Sequence, residues 1–174
     1  WTLDSSVLDN LGELGGRTVG LVGFGAVGRR LTPMLQAIGA RVLYTKEKEA
    51  PGGAAAFVSF ADLLSAADIV SLHVPLTPQT AGMMDADVLA CMKRGAILVN
   101  TARGGLVDYH ALYHALASGY LRGAGLDVFD AEPPDPSHPL FGLSNVVVTP
   151  HLAWFTAETL SRGLSVFSEN CRRL

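Results

Sequence analysis

Three polar side chains in this chain have the types and settings that could do chemistry. Arg103 ends an apolar run, Gly95-Ala96-Ile97-Leu98-Val99-Asn100-Thr101-Ala102-Arg103-Gly104-Gly105, and the two glycines after it are expected to leave room for a substrate. A guanidinium stays charged and presents a bidentate fork, which makes it the natural partner of a carboxylate. Glu132 stands before Pro133 and Pro134, and His151 lies in Thr149-Pro150-His151. A histidine beside a glutamate is a proton donor–acceptor whose imidazolium form is stabilised. Taken singly each has a plainer reading: Arg103 as a surface ion pair, Glu132 as a loop charge, His151 as a satisfied core histidine.

A glycine turn, Gly23-Phe24-Gly25-Ala26-Val27-Gly28, alters that weighing. GxGxxG alone is a weak signal, but here it follows an apolar strand and opens an amphipathic helix. Gly23 would allow the tight turn, Gly25 the approach of a phosphate, and Gly28 close packing of helix on sheet. The helix start, with Ala26 and Val27, would turn its N–H groups and positive dipole end toward a pyrophosphate. At the end of the second strand, where an acidic residue usually meets the adenosine ribose, the chain has Thr45-Lys46. A hydroxyl followed by a lysine suits a 2′-phosphate, so NAD and NADP both stay open. The plainer alternative is that Lys46 and Lys48 are solvated loop charges.

These groups need rigid elements to hold them. Short apolar runs over 18–22, 41–45, 69–74, 96–100, 123–128 and 145–149 read as strands, several of them continuously apolar as buried parallel strands are. Helical stripes lie between them: Val27, Leu31, Met34, Leu35 and Ile38; Phe60, Leu63 and Leu64; Val88, Leu89 and Met92; Leu112, Leu116 and Tyr120. A last helix from about 156 to the end carries Leu160, Leu164, Phe167, Cys171 and Leu174. Pro33 is expected to kink the first helix. Residues 51–56 read as a surface loop, and 131–139, with four prolines, as neither helix nor central strand. The alternation predicts an α/β, doubly wound, Rossmann-like parallel sheet in three layers, α/β/α.

The 174 residues, 49% of them hydrophobic, suffice for one dinucleotide-binding domain over 1–174. Net charge is −3, with no basic run longer than Arg29-Arg30 or Arg172-Arg173, which argues against nucleic-acid or membrane partners. Cys91 and Cys171 fit neither a metal site nor a disulfide framework, so no metal is expected and a reduced, cytoplasmic setting is the default. A chain that begins at Trp1 without Met is expected to be a fragment, a processed product or an isolated domain.

Longer motifs carry a resemblance. His73-Val74-Pro75-Leu76-Thr77-Pro78-Gln79-Thr80, Met92-Lys93-Arg94-Gly95 through Arg103-Gly104-Gly105-Leu106-Val107-Asp108, Gly123-Ala124-Gly125-Leu126-Asp127-Val128-Phe129 and Thr149-Pro150-His151 come in this order. From about 18 to 168 the chain resembles the D-isomer-specific 2-hydroxyacid dehydrogenases, a family that includes phosphoglycerate dehydrogenase and the glyoxylate/hydroxypyruvate reductases. The resemblance implies a catalytic set of Arg103, Glu132 and His151 acting on a small 2-hydroxy or 2-keto acid. Asp127 would then hold the nicotinamide side, and Val74, Pro75 and Thr80 the adenosine side. Thr101 and Ala102 would approach the nicotinamide ribose, with Arg103 bordering cofactor as well as substrate. It also implies a separate substrate domain, absent from this chain, and a homodimer formed through the region after Asp108 and around Trp154. Core or interdomain packing is an equal reading of Trp1, Tyr113 and Trp154. A cofactor-sensing, corepressor-like module on the same fold is the alternative function. Formate oxidation is disfavoured, because a glutamine would be expected at Glu132.

Overall fold

The apolar run Thr18–Val22 forms β1, and it is flanked on both sides by parallel, largely apolar strands. The computed structural model describes residues 12–50 and 55–173. In chain order the strands are β1, β2 (Arg41–Thr45), β3 (Ala56–Phe57), β4 (Ile69–Leu72), β5 (Ile97–Asn100), β6 (Gly123–Leu126) and β7 (Val146–Val148). Helices are α1 (Ala26–Ala37), α2 (Phe60–Ala66), α3 (Ala86–Ala90), α4 (Tyr109–Ala117) and α5 (Ala157–Cys171), with 3-10 turns at Gly104–Leu106 and Pro139–Gly142. The sheet order is β3-β2-β1-β4-β5-β6-β7, and every pairing is parallel. This is the expected doubly wound, Rossmann-like sheet, whose order reverses beside β1, where such folds bind ligands.

Alternation along the strands splits the core in two. Val22, Val70, Leu72, Leu98 and Leu126 face the larger cluster, with Leu63 and Leu64 of α2, Leu89 of α3, and Leu112 and Leu116 of α4. Val19, Leu21, Val42 and Tyr44 face the smaller one, against which Leu31 and Leu35 of α1 pack. Side-chain oxygens of Ser59, Asp85, Asp108 and Thr156 cap α2, α3, α4 and α5, each accepting from a backbone N–H three residues on.

Several expectations shift. Strand pairing ends at Leu72, Asn100 and Leu126, so the residues expected to extend β4 and β6 instead turn out as loops at the carboxyl edge. Ala56 and Phe57, Ala56 having been assigned to a loop, add a two-residue edge strand against Leu43 and Tyr44. A pair so short carries no periodic signal. Pro51, Gly52, Gly53 and Ala54 lie outside the described residues. In α1 the buried positions are Gly28 and Thr32, while Val27, Met34 and the capping Ile38 are exposed. Close approach at Gly28 rotates the helix so that Leu31 and Leu35 flank the contact and the rest of the apolar stripe faces outward. Pro33 sits on the exposed side, and α1 continues past it to Ala37 as one helix.

α5 forms where expected but buries none of its residues: Leu160, Leu164 and Phe167 stay exposed, and Leu174 lies outside the described residues. Among the described residues no helix is long and apolar enough to cross a membrane.

Candidate active site

β1 ends in a turn that only glycine accommodates at its first position. Gly23 has φ +96°, and a Cβ there would lie 2.6 Å from the His73 carbonyl oxygen. Its N–H donates to the Thr45 carbonyl at 3.0 Å, which ties the turn to the end of β2. A Cβ on Gly25 would meet nothing within 4 Å, so the backbone there lies open to a ligand. At Gly28 a Cβ would sit 3.2 Å from the Phe24 ring and 3.3 Å from the Gly23 carbonyl, a close helix–turn contact. Gly25 caps α1 without a side-chain bond and no acidic residue occupies its first turn, so the positive end of the helix is not neutralised by its own chain.

This turn forms one wall of a cleft of about 680 Å³. Gly25, Ala26, Val27 and Gly28 line it on one side, Val74 and Pro75 from the loop after β4 on another, and Thr101, Ala102 and Arg103 after β5 on a third. These residues fit a dinucleotide: glycine backbone for phosphates, apolar walls for rings, and a cation at the far end. Thr45 is half-buried at the end of β2 and Lys46 is exposed beside it, outside the cleft lining. Thr80 bonds within its own loop. Its hydroxyl donates to the Pro75 carbonyl at 2.7 Å and accepts from the Thr77 N–H at 2.8 Å, so it fixes the loop that carries Val74 and Pro75.

Glu132 and His151, 19 residues apart, are brought into contact: His151 Nδ1–H donates to Glu132 Oε2 at 2.8 Å. That bond leaves Nε2 as the nitrogen free to exchange a proton. His151 is the one non-glycine described residue with positive φ, at +55°. Such a conformation persists only where the surroundings enforce it. Asp127 supplies that enforcement. It is 3% exposed, and its carboxylate accepts from Thr149 Oγ1 and from the N–H groups of Leu152 (2.8 Å) and Ala153 (2.9 Å). Burial pushes the Asp127 carboxyl up, but those three hydrogen bonds and the nearby His151 outweigh it and hold it below the usual carboxylate range. All of this places Asp127 behind the His151 loop, as its brace. The hydrogen bond from His151, with that from the Phe129 N–H, likewise holds the exposed Glu132 carboxyl below its ordinary value.

Arg103 makes no hydrogen bond or ion pair with either member of this pair. Its guanidinium donates to the Ala102 carbonyl at 2.6 Å, and the side chain borders the cleft. What joins the two parts is Gly104. A Cβ there would fall 1.9 Å from the Phe129 carbonyl carbon, so the Arg103 loop lies directly on the backbone leading to Glu132. A Cβ on Gly105 would sit 3.0 Å from Leu76. The room left by the two glycines is thus taken by neighbouring loops and not by a substrate.

Several supporting residues were not singled out from the sequence. Asn100 is fully buried, donates to the Arg103 carbonyl at 2.9 Å and accepts from the Ala102 N–H at 3.1 Å, shaping the turn that presents Arg103. Its signal was a polar residue closing an apolar strand. Tyr109 Oη donates to the Val128 carbonyl at 2.6 Å, and its ring packs on Phe129. Burial, with Asp130 and Glu132 nearby, raises its phenol far above the ordinary value, so it remains a donor. His73, which lines the cleft, is held below its ordinary value by burial and lies 3.0 Å from Ser71 Oγ. Trp154 is 51% exposed, which rules out core packing for it; Tyr113 is half-buried against the larger core, and Trp1 lies outside the described residues.

Residues 3–153 match the family described as D-isomer specific 2-hydroxyacid dehydrogenase, NAD binding domain. The D-3-phosphoglycerate dehydrogenase of Mycobacterium leprae is 49% identical over 164 residues, which are 92% of this chain and 31% of that protein. The glyoxylate reductase of Korarchaeum cryptofilum is 46% identical over 162 residues, 89% of this chain and 48% of that protein. Among solved structures, the NAD-dependent formate dehydrogenase of Staphylococcus aureus in complex with NAD superposes with a TM-score of 0.92 at 34% identity, over 99% of this chain and 52% of that one. The chain thus spans about a third to a half of the length of the relatives it matches. None of these likenesses supports the corepressor-like alternative.

Proposed function

Because the chain belongs to the D-isomer specific 2-hydroxyacid dehydrogenases and corresponds to their NAD-binding domain, we propose that it carries the cofactor and acid–base half of a reversible hydride transfer. The substrate is a small 2-keto or 2-hydroxy acid, and the cofactor supplies or accepts the hydride. His151 Nε2 gives a proton to the carbonyl oxygen during reduction and takes it back from the hydroxyl during oxidation. Glu132 orients the imidazole through Nδ1 and offsets the charge of the imidazolium. Arg103 pairs with the substrate carboxylate and polarises the carbonyl. The observation that carries this reading is the His151–Glu132 pair, held at a left-handed backbone position with Nε2 unspent.

Gly25, Ala26, Val27 and Gly28 would hold the pyrophosphate, and Thr101 and Ala102 the nicotinamide ribose. Thr45 and Lys46 favour NADP over NAD, since the last position of β2, where a carboxylate would repel a 2′-phosphate, is a threonine followed by a lysine. Fluorescence titration is expected to give tighter binding of NADPH than NADH, with Thr45→Asp reversing the order; a clear preference of the unaltered protein for NADH overturns this point.

The substrate-side contacts and the closing of the cleft belong to a second domain in this family, so the 174-residue domain alone binds cofactor and turns over poorly. It pairs as a homodimer through this domain, around exposed Trp154, and works in the cytoplasm. Keto-acid-dependent oxidation of NAD(P)H, assayed across glyoxylate, hydroxypyruvate and bulkier 2-keto acids with the full-length enzyme, tests the reading. Loss of turnover with retained cofactor binding in His151→Ala supports it. Unchanged turnover in that variant overturns it.

A further inference from the structure

α4 carries a pair of metal-ligating side chains that the hydride-transfer reading leaves unused. His110 and His114 are four residues apart, hence on one face of the helix, and both are exposed. Their Nε2 atoms face each other at 3.3 Å, with ring centroids 4.5 Å apart and planes at 73°. Tyr113 packs edge-on against the His114 ring, with centroids 5.3 Å apart. An ion held by two imidazole nitrogens at about 2.0–2.1 Å, in tetrahedral geometry, needs those nitrogens about 3.3 Å apart. The free pair already has that spacing.

We propose that His110 and His114 form a bidentate surface site for a divalent transition-metal ion, with Zn²⁺ the best match to the tetrahedral bite. In the free pair one Nε2–H donates to the other Nε2. On binding, the donor ring moves its proton to Nδ1, so that both Nε2 lone pairs face the ion. Imidazole nitrogen suits zinc, nickel and copper, whereas Mg²⁺ requires oxygen ligands. Among the described residues no third His, Cys, Asp or Glu completes a cluster, so water fills the remaining positions. The ion then links two successive turns of α4, and its binding favours the folded chain by mass action.

Untagged, chelator-stripped protein titrated with ZnCl₂ in a calorimeter tests the site, with MgCl₂ as the control. The expected result is one Zn²⁺ per chain, a rise of several degrees in thermal midpoint, and no response to Mg²⁺. Either His110→Ala or His114→Ala weakens Zn²⁺ tenfold or more, while His151→Ala leaves the affinity within twofold. In the unaltered protein, Zn²⁺ shifts the ¹⁵N resonances of Nε2 in His110 and His114 together, a readout that does not depend on any variant folding. Undiminished affinity in the double variant, or loss of binding in His151→Ala alone, overturns the proposal, as does the absence of any Zn²⁺ response.

Discussion

The turn at Gly23 to Gly28 is built from neighbours along the chain, whereas Arg103, Glu132 and His151 arrive at the sheet edge on three separate loops. The first region needs little beyond one strand, one helix and a glycine at φ +96°. The second depends on contacts that cross the sequence. Gly104 lies on the Phe129 backbone, Tyr109 bonds the Val128 carbonyl, and Asp127 holds the N–H groups of Leu152 and Ala153. The glycine turn proposed to hold the pyrophosphate is local and the proposed acid–base pair is not, so substitutions are expected to separate the two functions.

The largest separation is expected for His151→Ala, which lowers turnover of a 2-keto acid by about 100- to 10,000-fold with NAD(P)H affinity nearly unchanged. A parallel loss of affinity, read by fluorescence titration, breaks the contrast. Gly23→Ala should act in the opposite sense. The left-handed backbone alone costs about 1–3 kcal/mol, and the 2.6 Å approach to the His73 carbonyl adds to it, so dinucleotide affinity drops before the His151–Glu132 pair is disturbed.

Asp127→Asn removes a charge that three donors satisfy and is expected to cost about 1.5–3 kcal/mol in urea unfolding, with turnover reduced through the His151 loop. The folded-state value for Asp127 lies below its ordinary one. Its contribution is therefore present above about pH 4 and lost as pH falls through the lowered folded value. The wild type should lose stability over that acid window and the Asn variant less so. Tyr109→Phe is the mildest: about 0.5–1.5 kcal/mol for one hydrogen bond, a small fall in kcat, and unchanged cofactor affinity. If Tyr109→Phe weakens NAD(P)H binding as much as turnover, the two regions are more coupled than their contacts imply.

A third region differs from both. α5 has the periodicity of a packed helix, yet it buries none of its residues, and Leu164, Val166 and Phe167 stand more than half exposed. α1 shows a smaller version of the same effect at Val27 and Met34. Periodicity records that a face is apolar, but it does not say which neighbour covers it.

The order of elements, the parallel sheet and the glycine turn were legible in the sequence, because each follows from short-range rules: continuous apolar runs, helical spacing, and glycine where the backbone must turn sharply. Long motifs likewise pointed to Arg103, Glu132 and His151. Only the tertiary structure decided how these are held. Asp127 braces the His151 loop through the N–H groups of Leu152 and Ala153, Thr80 fixes its own loop, and Gly104 makes room for the Phe129 backbone. The roles of Asp127 and Gly104 depend on contacts between residues some 22 to 26 positions apart along the chain, as with Asp127 and Ala153 or Gly104 and Phe129. Spacing along a chain cannot encode them. They arise when parallel strands end at one edge and their loops compete for the same space.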